Sequence, residues 1–73
     1  MIIGVPKEVK EDEYRVSMTP AGVHDLVVDG HTVLVEEGAG EGSGLPNQLY
    51  AEHGAQITER SNIFSRSEMI IKV

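Results

Sequence analysis

The sequence predicts an α/β fold with a mostly parallel, helix-flanked sheet, and three observations carry that expectation. Short apolar runs rich in β-branched residues alternate with helix-like segments along the 73 residues. Proline and glycine mark where the helical segments begin and end. The first run, Ile2-Ile3-Gly4-Val5, is continuous rather than alternating, as in a strand buried on both faces. The resulting order is βαβαβαβ, which right-handed crossovers turn into a parallel sheet.

Each element has a local cause. The first strand closes at Pro6. Thr19-Pro20 starts a helix: threonine caps, and proline suits the first helical position, where its missing N–H would have had no partner. Val23, Leu26 and Val27 follow at helical spacing, and Gly30 supplies the stop. Thr32–Glu36, carrying Val33, Leu34 and Val35, reads as the second strand. A glycine-rich loop leads to a short helix over 46–53, ended by Gly54. Residues 55–58 read as a third strand, 61–66 as a short helix and 69–73 as a fourth strand.

The last run, Met69-Ile70-Ile71-Lys72-Val73, is apolar, and the sequence ends inside it. An open strand edge leaves backbone groups unpaired, so the expectation is the front piece of a larger protein, to which the function belongs. A single core is marginal at this length, and with no cysteine neither a disulfide nor a thiolate metal site is available. His24, His31 and His53 show no ligand-type pairing, so no metal is expected. The net charge of −6, with 12 acidic residues and 6 dispersed basic ones, argues against a nucleic-acid partner. The N-terminus has neither a basic region nor an apolar stretch long enough for a signal peptide or membrane span, which leaves a soluble, cytoplasmic protein with no membrane partner as the expectation.

The loop Gly38-Ala39-Gly40-Glu41-Gly42-Ser43-Gly44 follows a strand and precedes a helix, as a dinucleotide fingerprint does. Its spacing is not G-x-G-x-x-G, and Glu36, Glu37 and Glu41 would repel a pyrophosphate. A glycine-permitted turn is the better reading, with no cofactor-binding residue here. Arg15 is the candidate binding residue. It lies on the connection leaving the first strand, where parallel sheets collect ligands, and its guanidinium can grip a carboxylate with two hydrogen bonds. The alternative is a surface arginine balancing Glu11-Asp12-Glu13. Lys7 and Glu8 on the same rim read as a solvated charge pair, and Tyr14 packs over a site or anchors the loop. Lys72 reads as a buried amine or as a strand-end lysine reaching solvent. His24 and His53 read as partly exposed helix residues.

The series Gly4-Val5-Pro6-Lys7-Glu8, Glu13-Tyr14-Arg15-Val16, Thr19-Pro20-Ala21-Gly22-Val23 and Gly38-Ala39-Gly40-Glu41-Gly42-Ser43, with Gly54-Ala55 and Ile71-Lys72-Val73, resembles the N-terminus of L-alanine dehydrogenase. The resemblance covers the whole chain. The alpha subunit of the proton-translocating nicotinamide nucleotide transhydrogenase, in the same superfamily, opens similarly, while the Glu-Gly-Ser part of the loop is closer to alanine dehydrogenase. The resemblance implies a Rossmann/flavodoxin-like parallel βαβ domain, here incomplete. Residues 1–73 would be the N-terminal part of the substrate domain, and a Rossmann domain outside this chain would bind NAD.

The implied activity is reversible oxidative deamination of L-alanine to pyruvate and ammonia with NAD, by an enzyme that is a homo-oligomer when full length. Arg15 would hold the substrate carboxylate. Lys72-Val73 matches only the first two residues of the family's Lys-Val-Lys-Glu-Pro motif, so Lys72 does not inherit the role of its functional lysine. The family's catalytic histidine and aspartate also fall outside this chain, so it carries no catalytic residue and the fragment alone would be inactive. Ser17-Met18 stands where the family has smaller or more aliphatic residues, and Leu45-Pro46-Asn47 replaces an acidic helix start; both bear on packing and capping. Two other readings stand beside the dehydrogenase: the N-terminal portion of the transhydrogenase alpha subunit, and a non-catalytic truncated packing or assembly module.

Overall fold

The computed structural model describes residues 1–8 and 16–72. The acidic run 11–13, Tyr14, Arg15 and Val73 lie outside the described residues. The chain forms β1 (Ile2–Val5), α1 (Pro20–Val28), β2 (Thr32–Glu36), a 3₁₀ turn (Glu41–Ser43), α2 (Asn47–Glu52), β3 (Gln56–Thr58), α3 (Arg60–Arg66) and β4 (Met69–Ile70). This is the α/β order the sequence predicts.

The four strands lie in the order β3-β2-β1-β4, and every neighbouring pair is parallel. The chain steps outward from β1 to β3, then crosses back to add β4 on the far side of β1. Right-handed crossovers then place α1 and α2 on one face and α3 on the other. Strand alternation serves both layers. On the first face Val5, Val33 and Val35 pack with Val23 of α1 and with Tyr50 of α2. Burying each valine there contributes about 1.5 kcal/mol or more. On the second face Gly4 and its register partner Leu34 lie beneath α3, where Ile63 is fully buried. A Cβ on Gly4 would fall 2.1 Å from Ser67 Oγ and 3.1 Å from Ile63 Cγ2, so this close approach of α3 depends on glycine.

The helix signals act as the sequence indicates. The Thr19 hydroxyl accepts the Gly22 N–H at 3.2 Å, and Pro20 opens α1. Both α1 and α2 close on a left-handed glycine, Gly30 (φ 94°) and Gly54 (φ 101°). The Gly30 and His31 amides donate to Val27 and Leu26, and those of Gly54 and Ala55 to Ala51 and Tyr50. This paired closure satisfies the last carbonyls of each helix.

Several boundaries differ from expectation, and β3 begins at Gln56 rather than at residue 55. Pro46 caps α2 with extended backbone (ψ 159°) rather than joining it, so the helix begins at Asn47 and His53 falls just past its end. Glu59 takes the cap position of α3, which starts one residue early, at Arg60. β4 pairs only at Met69 and Ile70, although the Ile71 N–H still donates to the Gly4 carbonyl at 2.9 Å. Continued in that register, the ladder meets Pro6, which has no N–H to give.

Candidate functional site

The strand order creates a topological switch point between β1 and β4, because the chain builds outward from β1 in one direction and later returns on its other side. Ligands of open α/β sheets settle in the crevice at the carboxyl ends of such strands. Residues 6–8 leaving β1, residues 16–19 leading into α1, and Ile71-Lys72 leaving β4 lie around that switch point among the described residues.

Side chains from several elements fix this rim. The Ser17 hydroxyl donates to the Ile71 carbonyl at 2.8 Å, tying the β1–α1 connection to the exit of β4. The adjacent Met18 carbonyl accepts the Tyr50 hydroxyl at 2.8 Å. Tyr50 is 1% exposed, and burial raises its pKa above the ordinary value, which keeps the hydroxyl a donor. On the other flank, Glu36 Oε1 accepts both the Lys7 N–H and Arg60 Nη1, each at 2.8 Å. Arg60 Nη1 also donates to the Lys7 carbonyl at 3.0 Å. The exit of β1 is thereby fastened to the last residue of β2 and the first of α3. Lys7 and Lys72 are both exposed, two residues past the ends of adjacent strands. They stand on a rim that also carries the carboxylates of Glu8 and Glu36.

The glycine loop after β2 is built differently. The Gly38 N–H donates to Asn47 Oδ1 at 2.8 Å. The amides of Ala39, Glu41, Ser43, Gly44 and Leu45 donate to carbonyls of Glu36, Gly38, Gly40, Glu41 and Gly40 in turn. Gly38 and Gly44 are left-handed (φ 82° and 74°), and the Glu41 carboxylate lies against Gly38. Donors already engaged and a carboxylate close by do not suit a pyrophosphate, so the loop does not fit a dinucleotide. It is the glycine-permitted turn that its spacing indicates.

Of the residues singled out in the sequence, Arg15 and Tyr14 lie outside the described residues, while Lys7, Ser17, Met18 and Lys72 lie on the switch-point rim. Lys72 is exposed, so its reading as a buried amine falls away. His24 and His53, far apart in sequence, meet edge to face with ring centroids 6.1 Å apart. His53 Nδ1 lies 2.8 Å from the Leu49 carbonyl, which assigns the hydrogen to that nitrogen. Sequence reasoning missed Tyr50 and the Glu36–Arg60 pair. The available signal for Tyr50 was an aromatic hydroxyl on the buried side of a short helix, which requires a partner.

Residues 4–73 match the family described as alanine dehydrogenase/PNT, N-terminal domain. The chain belongs to that family. Among curated members, alanine dehydrogenase of Bacillus subtilis is 52% identical over 73 residues, covering all of this chain and 19% of that protein. Alanine dehydrogenase of Methanococcus maripaludis is 50% identical over 74 aligned positions, covering all of this chain and 20% of that protein. The chain therefore spans about one fifth of the length of the curated relatives it matches. A solved L-alanine dehydrogenase superposes with a TM-score of 0.94 at 46% identity, over 99% of this chain and 20% of its own. A transhydrogenase from Sinorhizobium meliloti gives the same TM-score and the same coverage at 33% identity. Both solved structures thus share the backbone of this chain, at 46% and 33% identity. Among the described residues no helix is long and apolar enough to cross a membrane.

Proposed function

We propose that these residues form part of the substrate domain of an NAD-dependent L-alanine dehydrogenase, which converts L-alanine reversibly to pyruvate and ammonia. The supporting observation is identity of 52% and 50% to two alanine dehydrogenases along the whole chain, together with a strand-order switch point beside which Ser17 and Met18 are held by hydrogen bonds. On this reading the Arg15 guanidinium grips the carboxylate common to alanine and pyruvate, a geometry a fork of N–H donors recognises in two hydrogen bonds. The glycine loop does not fit a dinucleotide, and the resemblance to alanine dehydrogenase assigns NAD to a Rossmann domain outside these residues. The intact enzyme is a cytoplasmic homo-oligomer.

A full-length protein carrying this chain, incubated with L-alanine and NAD, should form NADH and pyruvate in equal amounts. The transhydrogenase reading has support in the equal TM-score of the Sinorhizobium protein. Hydride exchange between two nicotinamide nucleotides without any requirement for alanine would establish it instead. Neither reaction, in protein shown to be folded, would leave the packing or assembly role.

A further inference from the structure

Asp29-Gly30 is the one place in the 73 residues where aspartate or asparagine precedes glycine. At such a step the backbone nitrogen of the glycine can attack the side-chain carboxyl carbon of the aspartate, because glycine has no Cβ to hinder the approach. The new C–N bond closes a five-membered succinimide, the carboxyl C–O bond breaks, and the amide hydrogen leaves with the hydroxyl as water. Hydrolysis returns that water to either ring carbonyl. Opening at the main-chain carbonyl leaves isoaspartate, an isomer of equal mass whose backbone runs through the side-chain carbons.

Both residues are exposed, at the junction where α1 ends and the chain turns toward β2. The closed helix end withholds the reaction. Asp29 has ψ 2°, which rotates the Gly30 nitrogen away from the Asp29 Cβ, whereas ring closure must eclipse the two. The Gly30 N–H is also engaged: it donates to the Val27 carbonyl at 3.0 Å, beside the His31 N–H, which donates to the Leu26 carbonyl at 3.0 Å. The attacking atom is freed only when this closure opens, and helix ends open at low cost. From this geometry we propose that Asp29-Gly30 is an isoaspartate-forming site of this chain, gated by the opening of the α1 C-terminus. The product inserts an extra backbone carbon between α1 and β2, so the paired closure cannot reform as it was. Two residues on, the Thr32 N–H makes its bond to the Met1 carbonyl at 3.0 Å, so the damage falls next to the junction of β1 and β2.

The test ages the full-length protein carrying this chain at neutral pH, folded and in urea, beside the variant Asp29→Glu, whose longer side chain would have to close a six-membered ring. Peptide mapping with fragmentation that separates the two isomers reads isoaspartate, and mass spectrometry reads amide exchange over residues 26–31. Isoaspartate should accumulate at position 29 in both states and be lost in Asp29→Glu. The folded rate should be about five- to 150-fold below the rate in urea, the factor set by two backbone hydrogen bonds. Urea too dilute to unfold the protein should speed isomerisation and the exchange of that segment together. No isoaspartate at position 29 in urea would overturn the site. Equal rates in the two states, or folded protein that stays unmodified while the Gly30 amide exchanges, would overturn the gate.

Discussion

Two loops leave the carboxyl ends of neighbouring strands in this sheet, and they are held in opposite ways. The loop after β2 satisfies itself: its amides donate to its own carbonyls and to Asn47, and Leu45 and Tyr50 pack against Gly40. The described ends of the connection after β1 are held from outside, by Ser17 to β4, Tyr50 to Met18, and Glu36 and Arg60 to Lys7. A loop closed on its own backbone has little left to offer a ligand. A loop anchored by its neighbours keeps its remaining side chains available, and Lys7 lies on such a loop.

The comparison is broken most severely at Arg15. If the anchored loop exists to present that guanidinium, Arg15→Ala removes charge-assisted hydrogen bonds of about 1.5 to 3 kcal/mol, a loss of about 10- to 150-fold in kcat/KM for alanine. Arg15→Lys should recover only part, and KM for NAD should not change. Steady-state kinetics near wild type for Arg15→Ala would take the residue out of the site.

Gly40, in the self-closed loop, lies against Tyr50, whose hydroxyl anchors Met18 of the other connection. A Cβ there would lie 2.6 Å from the Leu45 carbonyl oxygen and 2.7 Å from the Tyr50 ring. Gly40→Ala should therefore cost about 1 to 3 kcal/mol in denaturant melts and, by displacing Tyr50, raise KM for alanine as well. Gly44→Ala is the control. Its Cβ enters open space, so only the left-handed backbone (φ 74°) opposes it, at about 1 kcal/mol with kinetics unchanged.

Tyr50→Phe keeps the ring and deletes the bond to Met18, which should lower stability by about 0.5 to 1.5 kcal/mol. It also has a pH signature. An unfolded tyrosine loses its proton near the ordinary value of 10.0, while the buried Tyr50 retains it to higher pH. The folded state then binds more protons above that value, so this contribution to stability is intact below it and lost as pH climbs through the raised value. Melts between neutral and strongly alkaline pH should show the decline in wild type and a shallower one in Tyr50→Phe.

The smallest effect belongs to Glu36→Gln. The Arg60 side chain is 40% exposed, so water screens much of the pair, and a loss of about 0.5 kcal/mol that shrinks further in high salt is expected. The glutamine oxygen can still accept the Lys7 N–H, so a large, salt-insensitive loss would contradict the reading of this pair as a screened ion pair.

What could be read from the sequence follows the range of the forces involved. Thr19-Pro20 and Gly30 announce α1 because a cap and a left-handed closing residue act within one turn. Ile2–Val5 and Thr32–Glu36 announce strands because burial on both faces demands continuous apolar runs. The end of β4 could not be read that way. Ile71 and Lys72 look like strand, yet pairing stops at Ile70 because of a proline on a partner far away in sequence. Ser17 looked like a packing variation for the same reason, since its acceptor lies 54 residues on. Tyr50, whose acceptor is 32 residues back, was invisible as an anchor until the helix was docked.

The strand order also sets a schedule for the chain as it is made. β1 emerges first and finds β2 across a single helix, but its other edge waits for Met69 and Ile70. The Glu68 carboxylate reaches back to the Ile2 amide across 66 residues, and the Glu68 amide to the Ile2 carbonyl. During synthesis the central strand therefore passes through an interval with one side bare, the condition in which a nascent sheet recruits strangers. Mutations that slow the arrival of β4 should act on yield in the cell before they act on the folded protein.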